Sequence, residues 1–493
     1  MSLSMETAFR IFEVPSQIEP IKNRLDFMRR GADAYNAYSD SLALSLDWDV
    51  HVHDQKVPVY AVPVTSGGPH SFCTIELLGD DVAIDLCMTF QGKLHSATVF
   101  SQDQGVTYRV EENQVHCSDV GACHLLVEVN GRVHTPLSIF VMPPENRIPD
   151  LASPHVLYFG PGVHEVSYLE LCDHQTVYIA GGAILRAVPP QNDEVPILGV
   201  DWAGKPNFND FIFAKGKQGI RILGRGIIDT SALDWHARRT MCFTDCEDVI
   251  VDGPILVGAA HWTVEAFHCK NVLFEHLSLF GYRENSDGID IVSSQHVRVR
   301  HCFVRTGDDA ICVKAMLPAP TLGGDDIVVE YCEVWNDKVR GLGIAGESKS
   351  DIRNVTFRHC TVFHSFARWA YELGALCIAL CDSGTISDIL FEDITIHQED
   401  SSAVNCILMR DRWSTDNDAG QIKRVCFRNI RIPSNAPVRL WGYDEEHRVE
   451  DILFDHIYTP DGIAHTSDTL WLETNPYVNN IHIKERKDHH GSS

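Results

Sequence analysis

The stretch DVIVDGPILVGAAHWTVEAFHCKNVLFEHL, from Asp248 to Leu277, contains one short pattern twice. Each copy starts with a polar residue and continues as an alternating segment, VIV from Val249 and VLF from Val272, before further polar or turn residues. Alternation of apolar side chains is typical of a strand with one buried face. The copies begin 23 residues apart, so the stretch predicts a stack of short strand repeats.

The same pattern recurs through the rest of the chain beyond residue 155. An earlier copy begins at Gly219, and later copies begin at His296, Asp326, Asn354, Asp388, Arg424 and Asp451. From Val249 onward, successive copies lie 23, 25, 30, 28, 34, 36 and 27 residues apart. Strand repeats of this length predict a β-helix whose inward side chains form ladders, whereas a propeller blade needs four strands over about 40 to 45 residues.

The chain before about residue 150 has a different pattern. Short strands such as VPVYAVPV, SFCTIELLG and VAIDLCMTF are separated by turn residues, which suggests an antiparallel sandwich, and only IEPIKNRLDFMRRGADAYNAY looks helical. The proline-rich stretch from Phe140 to His155 is typical of a domain boundary. We therefore predict an all-β protein, with an N-terminal β-sandwich over residues 1–150 and a C-terminal β-helix over residues 151–493.

The composition limits the partners. The net charge of −27 argues against nucleic acid and anionic membranes, and no run of 18 apolar residues predicts a membrane-spanning helix. The N-terminus lacks the pattern of a secretory signal, and 16 cysteines without zinc-site spacing fit a reducing compartment, so we expect a cytoplasmic protein without a metal site. The sequence does not indicate an oligomeric state.

Four aspartates stand close together in the repeat region, within ENSDGIDIVSSQHVRVRHCFVRTGDDAICVKA from Glu284 to Ala315. Asp287 and Asp308 are 21 residues apart, close to one short coil, and strands one coil apart lie about 4.8 Å from each other. We therefore expect the NSDG and GDD segments to lie side by side on one face.

The inward positions also change phase next to these aspartates. Cys302 and Val304 read as inward at even positions, whereas Ile311 and Val313 read as inward at odd positions. A bend or bulge between Val304 and Ile311 would turn the intervening aspartates toward one cleft.

Clustered carboxylates have three explanations at this point. They bind a cation such as calcium, they cap turns, or they form a catalytic set in which crowding keeps one acid protonated. Glycoside cleavage uses such a set, because one carboxylic acid protonates the leaving oxygen while another carboxylate activates water.

The motifs around these aspartates resemble those of a known family. NSDGIDI followed by GDDAICVK resembles the N-T-D and G/Q-D-D motifs of glycoside hydrolase family 28, the polygalacturonases. The segments AHWTVEAFHCKNVLFEHL from Ala260, RGLGIAGES from Arg340 and CIALCDSGTISDILFEDI from Cys377 are similar to further segments of that family, and the resemblance covers roughly residues 155–400. It implies a right-handed parallel β-helix, and the preceding sandwich is similar to the arrangement in family 49 dextranases.

The resemblance implies roles for three aspartates. Asp308 would be the general acid, and Asp287 and Asp309 would hold and deprotonate the attacking water. The implied enzyme is an O-glycosyl hydrolase without a cofactor that inverts the anomeric configuration, for which carboxyl groups lie about 6.5 to 9.5 Å apart.

The chain departs from the family pattern where an acidic sugar would bind. Arg340 stands near the position of the histidine in the family's G-H-G, and Cys377 and Ala379 stand where the family has the cations of R-I-K. Neutral side chains cannot make charge-assisted bonds to a galacturonate carboxylate. We therefore expect an oligo- or polysaccharide substrate other than plain polygalacturonate.

Further residues near the motifs are candidates for substrate binding, either as charged groups or as aromatic platforms for sugar rings. These candidates are Arg340, Asp290, Arg283, Lys314, Trp262, His261 and Tyr371. A polysaccharide lyase or glycosyl transferase on the same scaffold and a non-catalytic carbohydrate-binding solenoid are the alternative functions.

Overall fold

The computed structural model describes the chain as an almost entirely β-stranded protein. The described residues are 8–32, 35–102, 105–189, 197–200, 204, 206–321, 323–366, 373–398, 402–433 and 436–484. Within these residues the one α-helix is Arg24–Ala32, inside the stretch that the sequence predicts to be helical. It is too short and too polar to cross a membrane.

The N-terminal part contains two sheets that pack face to face. The seven-stranded sheet contains Phe9–Ile11, Ala43–Leu44, Tyr60–Val62, His70–Leu77, Ala97–Phe100, Cys123–Val129 and Arg132–Met142, and the five-stranded sheet contains Trp48–Val52, Gln55–Val57, Ile84–Phe90, Thr107–Glu111 and Gln114–Val120. Alternate residues of both sheets, such as Val50, Leu86 and Ile139, form one shared core. This arrangement is a β-sandwich.

The rest of the described chain winds through three parallel faces. The first face contains Val156–Phe159, Thr176–Ile179, Gln218–Leu223, Glu247–Asp252, Lys270–Glu275, Gln295–Arg300, Gly324–Glu330, Ile352–Arg358, Thr385–Ile396, Gln421–Arg431, Val449–Thr459 and Val478–Lys484. The second face contains Gly162–Val166, Ala183–Ala187, Ile227–Asp229, Ile255–Val257, Ser278–Phe280, Phe303–Thr306, Glu333–Asn336 and Thr361–Ser365. The third face contains Leu169–Glu170, Ile212–Lys215, Met241–Thr244, Val264–Phe267, Ile289–Val292, Ile311–Ala315, Leu342–Ser348, Gly374–Leu380, Ser402–Leu408, Val438–Trp441 and Leu472–Thr474.

Two short additions complete the strands. Ile197–Val200 and Pro206–Phe208 form a separate hairpin, and Gly462–Ile463 pairs antiparallel with the end of Val449–Thr459. The three faces enclose one continuous apolar core. The predicted all-β fold with a parallel β-helix is therefore confirmed.

The sequence repeat sets the register of the first face. The second residues of the repeat copies pair directly from strand to strand, in the order Val249, Val272, Val297, Ile327, Val355, Ile389, Val425 and Ile452. The residue before each of them has a left-handed backbone, with φ between 53° and 59°. Asp, Asn and His tolerate this conformation better than other side chains, which explains why most copies begin with one of them.

The sandwich packs against the second face of the β-helix. Phe72 and Phe140 from the seven-stranded sheet lie in one apolar cluster with Phe280, Phe303 and Trp335 from the second face. The rings of Phe72 and Phe280 stack with centroids 5.0 Å apart. The sandwich therefore lies beside the corners at which the second face turns into the third.

Candidate active site

The aspartates of the NSDG and GDD motifs lie at one of these corners. Phe303–Thr306 belongs to the second face and Ile311–Ala315 to the third, so residues 307–310 make the turn between them. Val304 and Ile311 both point into the core, and the change of phase that the sequence shows is this corner. Ile289 pairs with Ile311, so Asp287 lies opposite Asp309 and the coil is one residue longer than the expected 21.

The corner turns of two adjacent coils bring three carboxylates together. One oxygen each from Asp287, Asp308 and Asp309 lie within 4.8 Å of one another. All three residues line an open cleft of about 610 Å³. Asp287 and Asp309 are almost fully buried, whereas Asp308 is partly exposed at the cleft surface. These oxygens lie closer than the separation of about 6.5 to 9.5 Å that inversion led us to expect.

Hydrogen bonds fix the orientation of Asp308. The backbone N–H groups of Asn285 and Asp309 donate to its two carboxylate oxygens at 3.2 and 2.9 Å. Its carbonyl oxygen accepts the hydroxyl of Thr306 at 2.8 Å and the side-chain amide of Asn336. Burial, together with the negative charge of Asp309, raises the pKa of Asp308 to about 6. A protonated fraction of this acid is therefore present near neutral pH.

A buried lysine compensates part of the negative charge. Lys314 Nζ lies 2.9 Å from Asp287, 2.8 Å from Asp290 and 3.8 Å from Asp309. Burial disfavours the charged form of this lysine, but Asp287 and Asp290 outweigh that effect and raise the pKa of Lys314. The carboxylates thus receive from Lys314 the positive charge that a bound cation would otherwise supply.

The N-terminal sandwich supports the corner that carries Asp308. The Thr65 hydroxyl donates to the carbonyl of Tyr282 at 3.0 Å, and Arg305 donates to the carbonyl of Ser66 at 3.0 Å. A Cβ atom on Gly307 would lie 2.4 Å from the Thr65 hydroxyl, so the corner has no space for a side chain there. The chain before residue 150 is therefore part of the site's framework.

The sequence of the chain is similar to those of known proteins over the part that carries these carboxylates. Residues 235–438 match the model of glycosyl hydrolases family 28. The polygalacturonase of Gossypium barbadense is 25% identical over 187 residues, which are 35% of this chain and 42% of that protein. The polygalacturonase of Medicago sativa is 22% identical over 210 residues, or 39% of this chain and 45% of that protein. The chain thus spans less than half the length of these relatives.

Solved structures share the fold. The exopolygalacturonase of Thermotoga maritima superposes with a TM-score of 0.50 at 18% identity, over 66% of this chain and 84% of that chain. Dex49A from Penicillium minioluteum superposes with a TM-score of 0.56 at 12% identity, over 97% of this chain and 99% of that chain. The resemblance to family 28 is confirmed, and the likeness to Dex49A includes the sandwich.

Two predicted binding residues in the family 28 region contact the buried Lys314. Asp290 is fully buried and does not line the cleft; burial raises its pKa to about 7, and it pairs with Lys314. Trp262 lines the cleft, but Lys314 Nζ lies 3.8 Å from its ring centroid and Arg239 lies 5.2 Å from it. Asp290 is therefore a counter-ion of Lys314. Trp262 has two cations near its ring, and its contact with sugar stays a prediction.

The remaining predicted binding residues lie in different places. Arg340 lines the cleft, with its Nε 3.2 Å from Asp309. Arg283 is fully buried, outside the cleft lining, and donates to the backbone carbonyls of Leu233 and Ser231, so its position is structural. His261 lines a separate cavity of about 230 Å³. Tyr371 lies outside the described residues.

Sequence reasoning missed the contribution of the N-terminal part to the cleft. Tyr35 lines it and donates from its hydroxyl to Glu284 at 2.8 Å. Lys338 donates to the other oxygen of Glu284, also at 2.8 Å. Because Tyr35 precedes Glu284 by 249 residues, no local pattern could have paired them.

The cleft also has an apolar wall that the sequence did not predict as a unit. We use this name for the lining residues Val339, Leu373, Ala379, Cys381, Met409 and Trp413. The sequence does mark Trp413 as a candidate cleft residue, because it is a lone aromatic residue in the polar stretch MRDRWSTDND between two predicted strands.

Proposed function

We propose that this protein hydrolyses O-glycosidic bonds of an oligo- or polysaccharide. The observation that carries the proposal is the group of three carboxylates, Asp287, Asp308 and Asp309, in one open cleft. Turn capping accounts for Asp308 in part, since it accepts two backbone N–H groups, but Asp287 Oδ1 is buried without a hydrogen-bond partner among the described residues. The match to family 28 supports the same reaction.

Asp308 is the general acid in this proposal. It is the most exposed of the three, and its pKa of about 6 leaves a proton available for the leaving oxygen. The two backbone N–H groups on its oxygens then stabilise the carboxylate that forms after the transfer.

Asp287 and Asp309 hold the attacking water. Two oxygens within 4.8 Å of each other can both accept from one water, since each such hydrogen bond is about 2.8 Å long. Asp309 has Arg340 at 3.2 Å and Lys314 at 3.8 Å, so its negative charge is compensated from both residues. We assign proton removal to Asp309, whereas burial raises the pKa of Asp287 and suits it to orienting the water.

The stereochemical course follows from where the water attacks. We propose inversion, with the water held by Asp287 and Asp309 and the leaving oxygen beside Asp308. The short separation of the carboxylates makes a direct check necessary, because retaining enzymes have carboxyl groups about 5 to 5.5 Å apart. Proton NMR of the first products decides the matter: retention of the anomeric configuration would require a covalent role for Asp287 or Asp309.

The charges of the cleft disfavour plain polygalacturonate. Six carboxylates line it, against the four cations Lys314, Lys338, Arg340 and Arg412. Lys338 is paired with Glu284, Arg340 with Asp309, and Lys314 with Asp287. A polyanionic chain would therefore bring further negative charge to a site in which three of the four cations already have carboxylate partners.

A glycan panel tests the proposal. Wild-type protein and Asp308→Asn are incubated with neutral, deoxy and uronate-containing oligosaccharides in ¹⁸O-labelled water. We expect wild-type to cut at least one member with incorporation of solvent oxygen, and Asp308→Asn to lose about 10²- to 10⁴-fold in rate. Cleavage without solvent oxygen would indicate a lyase, and equal rates for the two proteins would remove Asp308 from the mechanism.

A further inference from the structure

One carboxylate of the cleft has no partner among the described residues. Of the six carboxylates that line the cleft, five accept a hydrogen bond or form an ion pair: Glu284, Asp287, Asp308, Asp309 and Asp411. The sixth is Glu347, which is partly exposed, and no described residue donates to it or lies within ion-pair distance of it. Its carboxylate is therefore available to donors from a ligand.

A β-bulge in the third face brings Glu347 to the cleft. Ile344 pairs with Val313 of the preceding coil, and Ser348 pairs with Ala315. The first two positions are four residues from Ile344 to Ser348 on the later coil, but only two from Val313 to Ala315 on the earlier one. Glu347 lies within this bulge, and bulges beside active sites turn side chains in directions that a regular strand does not allow.

Hydrogen bonds on both sides of Glu347 fix the bulge. The Ser348 hydroxyl donates to the carbonyl of Ala345 at 3.2 Å, and the backbone N–H of Cys381 donates to the carbonyl of Gly346 at 3.0 Å. A Cβ on Gly346 would lie 2.8 Å from the Cys381 sulfur, so the bulge is closely packed. The backbone of Glu347 is thus held in place while its carboxylate stays available, which is the arrangement of a preorganised binding residue.

The charges around Glu347 limit the kind of group that it accepts. Lys314 and Arg340 interact electrostatically with Glu347, although both lie beyond ion-pair distance. An amine bound at Glu347 would lie near these two cations, and a uronate would lie near the carboxylate of Glu347 itself. A neutral hydroxyl group avoids both repulsions and donates a charge-assisted hydrogen bond. Since a carboxylate has two acceptor oxygens, it can receive two neighbouring hydroxyl groups of one sugar ring.

We propose that Glu347 is a specificity-determining residue that accepts hydrogen bonds from two adjacent hydroxyl groups of a neutral sugar. Its strand lies one coil beyond Ile311–Ala315, about 4.8 Å along the β-helix, so this sugar is next to the cleaved bond. The inference rests on the proposed function for its place in the reaction, whereas recognition of the hydroxyl pair is a property of binding alone. The same carboxylate disfavours a uronate at this position.

Matched disaccharides test the preference for a neutral sugar. The probes are disaccharides of galactose, glucose and mannose, each beside the disaccharide of its uronic acid with the same linkage. Dissociation constants are measured on wild-type protein by ligand-observed NMR before any cleavage is detectable. We expect the neutral member of one pair to bind at least about tenfold more tightly than the uronate. Equal binding in every pair, tighter binding of the uronates, or no binding of any neutral probe overturns the proposal.

Variants at Glu347 assign the preference to its carboxylate. Glu347→Gln keeps the size and removes the charge, so we expect the neutral-over-uronate preference to fall at least about fivefold. Glu450→Gln removes the same charge from a partly exposed residue of the first face and should keep the preference. Circular dichroism checks that both variants are folded. A preference that is unchanged in Glu347→Gln, or that falls equally in Glu450→Gln, contradicts the assignment.

Deoxygenated probes identify the hydroxyl pair. Each monodeoxy derivative of the tightest neutral probe is compared on wild-type protein and on Glu347→Ala. Removal of a hydroxyl group that contacts Glu347 should weaken binding about tenfold on wild-type protein and hardly at all on Glu347→Ala, because the acceptor is already absent there. Two adjacent ring positions should show this coupling. Coupling at no position, or only at positions that are not adjacent, refutes the recognition of a hydroxyl pair.

The outcome is separable from that of the proposed function. Asp308→Asn should lose hydrolysis and keep the coupling between Glu347 and the sugar hydroxyl groups. That coupling without any hydrolysis would leave the binding inference intact and refute the hydrolase, whereas hydrolysis of an oligosaccharide without the coupling would do the reverse.

Discussion

Lys314 Nζ and Asp287 Oδ2 lie 2.9 Å apart, and each side chain is only 3% exposed. The two residues come from adjacent coils, so the contact joins the corner of one coil to the third face of the next. It holds a positive charge directly beneath the group of carboxylates.

Removal of that charge should destabilise the protein. Lys314→Met leaves Asp287 and Asp290 buried without their cation, and we expect the free energy of unfolding to fall by about 3 to 5 kcal/mol at pH 7. Urea unfolding measures the change, with Lys270→Met on the exposed surface of the first face as the control. A Lys314→Met protein as stable as the control would contradict the role of this lysine.

The rate should fall as the pH rises past the pKa of the acid. Because the pKa of Asp308 is raised to about 6, the protonated form that donates to the leaving oxygen predominates below that pH and is lost above it. We expect kcat/KM on a substrate without ionisable groups to decline tenfold per pH unit well above pH 6. A profile that stays flat to pH 8 would show that Asp308 does not act as the acid.

A side chain at the corner glycine should disturb Asp308. Gly307→Ala places a methyl group 2.4 Å from the Thr65 hydroxyl and 2.9 Å from the Arg283 carbonyl, so we expect a loss of about 1 to 3 kcal/mol in stability and a lower kcat. Thr65→Ala removes the first of these two clashes. Gly307→Ala combined with Thr65→Ala should therefore recover part of the activity, and strict additivity of the two single effects would argue against direct contact.

The hydroxyl of Tyr35 should matter to the reaction more than to folding. Tyr35→Phe removes the hydrogen bond to Glu284 at the cleft edge, and we expect kcat/KM to fall several-fold while the free energy of unfolding changes by less than about 1 kcal/mol. Tyr108→Phe is the matched control, since Tyr108 is a similarly exposed tyrosine on the five-stranded sheet. Equal kcat/KM in both variants would exclude a role for the Tyr35 hydroxyl.

The repeat was predictable from the sequence because every coil buries apolar side chains at the same inward positions. The inward position at Val249 recurs in each later copy, and the polar residue before it recurs because the backbone there is left-handed. The proximity of Asp287 and Asp309 follows from the same stacking. The sequence does not give the exact register, because the length of a corner is set by how two faces meet, and strand periodicity does not report that length.

Contacts between distant parts of the chain were not predictable, because no repeated pattern in the sequence indicates them. The position of Arg283 beside the NSDG motif predicts a cleft residue, yet its guanidinium donates to carbonyl groups of another coil. Tyr35 and Thr65 lie in segments without a repeat, so nothing in the sequence relates them to Glu284 or Gly307. The apolar wall was missed as a unit because its members come from three separate stretches of chain.

The contact of Arg305 with Ser66 has a consequence for how the protein can be divided. The proline-rich segment between Met142 and Val156 invites truncation into two modules. A β-helix produced alone would present Phe280 and Phe303 to water, and Arg305 would keep its ion pair with Asp337 but lose its hydrogen bond to the Ser66 carbonyl. The sandwich and the β-helix therefore cannot be exchanged independently of each other. A chimera that carries the sandwich of another protein would have to reproduce the loop at residues 65 and 66 to stay active.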